Sequence, residues 1–142
     1  MSDIGRERTR VTLTVNAEVH AIEVSPPQTL QYVLHERLGL LGVKEFCDRG
    51  ACGACTVILD GNPVLSCMIL AIQCHGAIVE TVEGIAASNH PLVEAYVKHS
   101  CMQCGFCTPG FIVTAKALLD RNPDPSESQV KEALAGNLCR CG

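Results

Sequence analysis

The chain has 142 residues, 15.2 kDa, 47% of them apolar, and its mean hydropathy of +0.21 suffices to bury a core in one or two small domains, which excludes disorder as the main state. Its longest apolar run of any weight, Met68 to Ile72, is far short of the ~20 residues that cross a bilayer, so no membrane span is expected. Eleven basic and fifteen acidic residues (formal charge -4), no tryptophan and 4% aromatics leave neither a basic stripe nor stacking faces for nucleic acid.

The opening, Met1 to Arg10, mixes both charges and has no apolar h-region, so neither a secretory signal nor a transit peptide is expected and a cytoplasmic location follows. Val11, Leu13 and Val15, then Ile22 and Val24, alternate with polar residues around Asn16-Ala17-Glu18, the pattern of an antiparallel hairpin. Pro26 and Pro27 stop it. Thr29 is placed to cap a helix carrying Leu30, Val33, Leu34 and Leu38 and ending at Gly39. Val57 to Leu59 and Val64 to Leu65 flank an Asp60-Gly61 turn, and Ile78 to Val82 offers one more strand. The stretch Glu83 to His90 is small, polar and without period, and strand signals vanish after it. The expected division is therefore 1-84 and 85-142, a strand-rich unit followed by an all-α one.

In the second unit Pro91 suits the first turn of a helix with Leu92, Ala95, Tyr96 and His99. Pro109 opens another, whose predicted face is Phe111, Ile112, Ala115, Leu118 and Leu119. Ser126 and Gln129 stand at capping-box spacing ahead of a last short helix that ends near Gly136.

Ten cysteines are a heavy load for a chain without an export signal, and point to metal or redox chemistry rather than disulfides. Cys47, Cys52 and Cys55 with a distal Cys67 show the C-x4-C-x2-C spacing of plant-type [2Fe-2S] proteins, with mostly small residues between them that let backbone N–H groups approach the sulfurs. Cys104-x2-Cys107 and Cys139-x-Cys141 can close a second four-thiolate site, although their spacing is less specific. Cys101 adds a C-x2-C-x2-C run that lacks its fourth cysteine at Phe111, so a four-iron cluster stays open at this point, as does zinc. Covalent haem and a Rieske centre fail for want of suitably placed histidines. Cys74 and Cys101 are left over and expected to be buried fillers, and the five histidines are expected at surfaces and caps. No dinucleotide, phosphate-loop or hydrolase motif is present, so the chain shows no place of its own for flavin, nicotinamide or substrate.

Three segments, Cys47-Asp-Arg-Gly-Ala-Cys-Gly-Ala-Cys55, Gln103-Cys-Gly-Phe-Cys-Thr-Pro-Gly110 and Gly136-Asn-Leu-Cys-Arg-Cys141, resemble the small iron-sulfur subunit of the molybdenum hydroxylases, the xanthine dehydrogenase, aldehyde oxidoreductase and carbon monoxide dehydrogenase family. The resemblance runs over nearly the whole chain. It implies an α+β fold, with an N-terminal plant-ferredoxin-like β-grasp domain and a C-terminal four-helix-bundle-like domain. It also implies one [2Fe-2S] cluster on Cys47, Cys52, Cys55 and Cys67 and another on Cys104, Cys107, Cys139 and Cys141. Gln103 and Cys141 match the residues nearest the molybdopterin of a large partner subunit, and electrons are expected to leave through the first cluster to an FAD-binding subunit or another acceptor. Family members usually continue past the position of Gly142 into a Gly-Tyr-containing tail that helps dock the large subunit. The expected role is an electron relay within an oxidoreductase. The rival readings are a free-standing ferredoxin-like carrier and a zinc-stabilised interaction module.

Overall fold

A computed structural model describes residues 7–141. Residues 1–6, on which most of the leader expectation rests, and Gly142 lie outside the described residues.

The first unit is a five-stranded mixed sheet of order β2-β1-β5-β3-β4. β1 (Thr9–Val15) and β2 (Glu18–Val24) pair antiparallel with Val11 opposite Ile22 and Leu13 opposite His20. The apolar residues of their alternation, Val11, Leu13, Val15, Ile22 and Val24, all face the core. β5 (Ile78–Glu80) runs parallel to β1 and antiparallel to β3 (Thr56–Leu59), which turns through Asp60-Gly61 into β4 (Asn62–Leu65). Against this sheet lies α1 (Leu30–Tyr32), continued by a π-helical turn over Val33–Arg37, and Leu30, Val33 and Leu34 are fully buried there. Thr29 caps it, its hydroxyl accepting from the Tyr32 N–H at 3.1 Å.

Glu83 to His90 departs from its aperiodic sequence. Residues Val82–Ala87 form helix α2, and Val82 belongs to it rather than to the last strand. A helix of under two turns shows no readable period, and a single residue anchors it: Ile85 is fully buried beside Ile112, Val113 and Ala117. Its N-terminal end is tied to the sheet. Thr81 N–H donates to Asn16 Oδ1 at 2.9 Å, and the Gly42 N–H donates to Glu83 Oε1 at 2.7 Å.

Helices α3 (Pro91–Lys98), α4 (Thr108–Arg121) and α5 (Glu127–Leu134) complete the chain. His90 caps α3 through Nδ1, and Ser126 with Gln129 forms the full capping box of α5. The buried face of α4 is Gly110, Ile112, Val113 and Ala117, so of the predicted face only Ile112 is fully covered. The cause is tertiary, since α4 packs on β3 of the sheet and Ile58 joins its core. Lys116 spans the same junction, 3.0 Å from Glu80 and 2.7 Å from Asp120. Among the described residues no helix is long and apolar enough to cross a membrane.

Candidate functional site

The loop from Lys44 to Cys55 enters β3 and brings Cys47, Cys52 and Cys55 against Cys67, which sits on the 3-10 turn Ser66–Met68 after β4. All four line one small pocket. The loop is held from several sides. His35 Nδ1–H donates to the Val43 carbonyl at 2.8 Å, and the Lys44 N–H donates to the Ala54 carbonyl at 3.2 Å. Two buried hydroxyls brace the cysteines themselves, Ser66 donating to the Cys55 carbonyl at 2.6 Å and Thr56 to the Gly53 carbonyl at 2.7 Å. Satisfied buried hydrogen bonds of this kind fix a loop firmly, because breaking one strands a desolvated carbonyl.

Backbone N–H groups point at the sulfur of Cys47. Those of Arg49 and Ala51, the latter at 3.4 Å, favour the thiolate and hold its pKa down to about 6. Burial acts the other way at Cys67, whose thiol is pushed up to about 11, with the neighbouring Cys55 adding to the effect. Cys47 lies within hydrogen-bond reach of Cys52, and Cys67 within reach of Cys55, so the four sulfurs stand as two pairs.

The second set gathers at the start of α4. Cys104 and Cys107 precede the helix, with Cys107 as its N-cap residue, while Cys139 and Cys141 return in the segment after α5. They line one open pocket together with Cys101, Met102 and Gln103. Pairing recurs here. Cys104 meets Cys141, and Cys107 meets Cys139. The Phe106 N–H holds the Cys104 pKa below the usual thiol value, whereas burial raises that of Cys107.

The left-over cysteines divide. Cys74 is buried at 2% exposure, as expected, but Cys101 is exposed. Its place in the turn after α3, where its N–H closes on the Tyr96 carbonyl at 3.0 Å, leaves it outside both cores. None of the ten cysteines is in a disulfide. The histidines serve as caps and clasps, His75 Nδ1 accepting from the Thr12 N–H at 3.2 Å.

Several residues at the sites escaped the sequence. Phe46 and Phe106, one beside each cysteine set, meet edge to face with centroids 5.8 Å apart, and Lys44 lies 5.6 Å from the Phe106 ring. Gly53 and Gly110 press together so closely that a Cβ on Gly110 would stand 2.5 Å from the Gly53 carbonyl oxygen. Short glycine-bearing cysteine motifs were the one available signal, and it does not say which glycine meets which.

Two sets of four cysteines, each gathered at one pocket, suit iron-sulfur clusters, and the pairing within each set fits the two-iron kind. Among the described residues no three His, Cys, Asp or Glu side chains gather as one metal ion needs, whereas two pairs per set offer two thiolates to each iron of a two-iron cluster. Two such sites on a mixed sheet and a helical unit fit the class of iron-sulfur electron carriers.

Comparison with known proteins gives the rest. Residues 13–80 match the 2Fe-2S iron-sulfur cluster binding domain, and residues 81–142 match the [2Fe-2S] binding domain. The nicotinate dehydrogenase small FeS subunit of Eubacterium barkeri is 46% identical over 133 residues, covering 92% of this chain and 85% of that protein. Among solved structures, quinoline 2-oxidoreductase from Pseudomonas putida 86 superposes with a TM-score of 0.90 at 41% identity, over 95% of this chain and 85% of that one. The aldehyde oxidoreductase of Desulfovibrio desulfuricans gives 0.89 at 48% identity over 93% of this chain, yet only 15% of that longer one. The chain belongs to the small iron-sulfur subunits of the molybdenum hydroxylases. It carries two [2Fe-2S] clusters, transfers electrons within an oxidoreductase, and works beside a larger partner.

Proposed function

We propose that Cys47, Cys52, Cys55 and Cys67 hold one [2Fe-2S] cluster and that Cys104, Cys107, Cys139 and Cys141 hold the other. The observation that carries the assignment is the gathering of each set of four cysteines at one pocket, where the sulfurs of each set fall into two pairs. Each cluster, when bound, supplies a reversible one-electron centre; the chain's own residues orient the thiolates, aim N–H groups at sulfur and exclude water, and these are the levers that tune such a centre.

The exposed second site faces the partner in this reading. Gln103, exposed beside Cys104, presents its amide to the molybdopterin of the large subunit, and Cys141 is the ligand nearest that group. Electrons then pass to the first site and out to an FAD-binding subunit or another acceptor, in the cytoplasm. The division near residues 84 and 85 falls within α2, whose Gly84 closes on Asn16 in the turn between β1 and β2 while Ile85 enters the core of α4, so the helix joins the two units. Helices α2 to α5 form a small four-helix bundle in this scheme. The substrate pocket lies in the partner; the relatives' names span nitrogen heteroaromatics such as nicotinate and quinoline and also aldehydes.

The test is iron, acid-labile sulfide and zinc per chain on anaerobically purified protein. About four irons and four sulfides are expected. About two zincs without sulfide would overturn the assignment.

A further inference from the structure

The two cysteine sites touch at one short stretch of backbone. Leu138 N–H donates to the carbonyl oxygen of Cys52 at 2.9 Å, and Asn137 Nδ2 donates to the next carbonyl, that of Gly53, at 3.1 Å. Cys52 belongs to the first set, and Leu138 is bonded directly to Cys139 of the second. A route between sulfurs therefore follows the covalent bonds of Cys52, crosses one hydrogen bond, and continues along the backbone of Leu138 into Cys139. Electronic coupling decays far less along bonds and hydrogen bonds than across a gap, so this contact offers a bonded connection between the sites. Cys52, Cys139 and Leu138 also line one cleft with Phe46 and Phe106.

The contact depends on close approach. A Cβ on Gly53 would stand 2.6 Å from the Gly136 carbonyl oxygen and 2.7 Å from Asn137 Nδ2, and one on Gly110 would lie 3.2 Å from the same Nδ2. On its own side the Gly53 carbonyl is fixed by Thr56, through both N–H and hydroxyl. Across the gap its hydrogen-bond partner is Asn137. Leu138 itself is 59% exposed, so little packing holds its N–H in place.

We propose that Asn137 is a positioning residue for electron passage between the two sites. By gripping the Gly53 carbonyl it sets the length of the adjacent Cys52 to Leu138 hydrogen bond. One electron passes per transfer, so one site is oxidised and the other reduced by one, and no bond or proton changes hands. The inference rests on the proposed assignment of both cysteine sets to [2Fe-2S] clusters.

The experiment uses the assembled enzyme with Asn137→Ala and Asn137→Leu, the second keeping size and charge while losing the donor. Iron and sulfide per chain, the EPR spectrum and potential of each reduced site, and the rate of electron equilibration between sites after rapid photoreduction are compared with the wild type. Both variants are expected to keep their iron and potentials while equilibration slows roughly tenfold or more, the scale at which lost positioning shows in rates. An unchanged rate in fully loaded variants would overturn the inference. Loss of the second cluster in both would also overturn it, making Asn137 a structural residue only. A wild-type chain with neither iron nor sulfide would instead overturn the assignment of function, and the inference with it.

Discussion

Cys52, Cys55 and Cys67 are 5%, 4% and 8% exposed, and buried hydroxyls brace the carbonyls of their loop, while Cys104, Cys139 and Cys141 stand exposed at the end of the molecule. The contrast lies in how each set is built. The first four thiols come from one loop and a turn on the sheet, so the core that folds the domain also covers three of them and leaves Cys47 half-buried. The second four come from two separated segments that meet above α4, with little packed outside them. One site is largely covered by its own chain and the other is left open, and in the proposed reading the open one is where the larger partner sits.

Ligand deletions break the comparison hardest. Cys55→Ser and Cys139→Ser are each expected to lower the iron content from about four to about two per chain, since each removes one cluster. Their effect on folding differs: Cys55→Ser lowers the melting temperature strongly, because metal-binding energy there is coupled to the core, and Cys139→Ser lowers it slightly. Calorimetry with iron assay reads both. Equal melting temperatures would mean that burial does not distinguish the sites.

Gly110→Ala probes the seam between them. A Cβ against the Gly53 carbonyl must force the helix off the loop, and overpacking of this kind costs about 1 to 3 kcal/mol. Denaturant unfolding measures the loss. Ser66→Ala acts on the first site alone, removing the hydroxyl that satisfies the Cys55 carbonyl; a cost of about 1 to 2 kcal/mol is expected, with the EPR spectrum of the second site unchanged.

Lys116→Met gives the smallest effect, about 1 kcal/mol or less, because the ion pair it removes is partly exposed to solvent. Burial disfavours the Lys116 charge, but Asp120 and Glu80 outweigh it and hold the pKa above the ordinary lysine value. A folded-state pKa raised in this way contributes stability that is fully present below the ordinary lysine pKa and lost as pH rises through the folded value. The difference between wild type and variant, followed by unfolding at increasing pH, should therefore shrink only in the alkaline range. A constant difference would assign the effect to packing of the lysine stem.

Much of the fold was legible because it is local. Alternation in Val11 to Val24, the Thr29 cap, the Asp60-Gly61 turn and the Ser126 capping box each rest on residues within a few positions of one another. Helix α2 was hidden because one residue, Ile85, anchors it and a six-residue helix has no period. The face of α4 was misread because β3, far away in sequence, decides which side is covered. At the sites, cysteine spacing named the ligand candidates, while burial of one set and exposure of the other, the solvent-facing Cys101, and the Asn137 contact across 84 positions depend on packing that no short window contains.

The most direct measurement of the central claim is an EPR-monitored reductive titration of the chain, alone and in complex with its large partner. Two distinct [2Fe-2S] signals are expected, one of which shifts in shape and potential on assembly while the other stays fixed, and Cys139→Ser should remove the one that shifts. A single signal, or two that respond equally to the partner, would contradict a subunit with one site largely covered by its own core and, as proposed, an open one facing its partner.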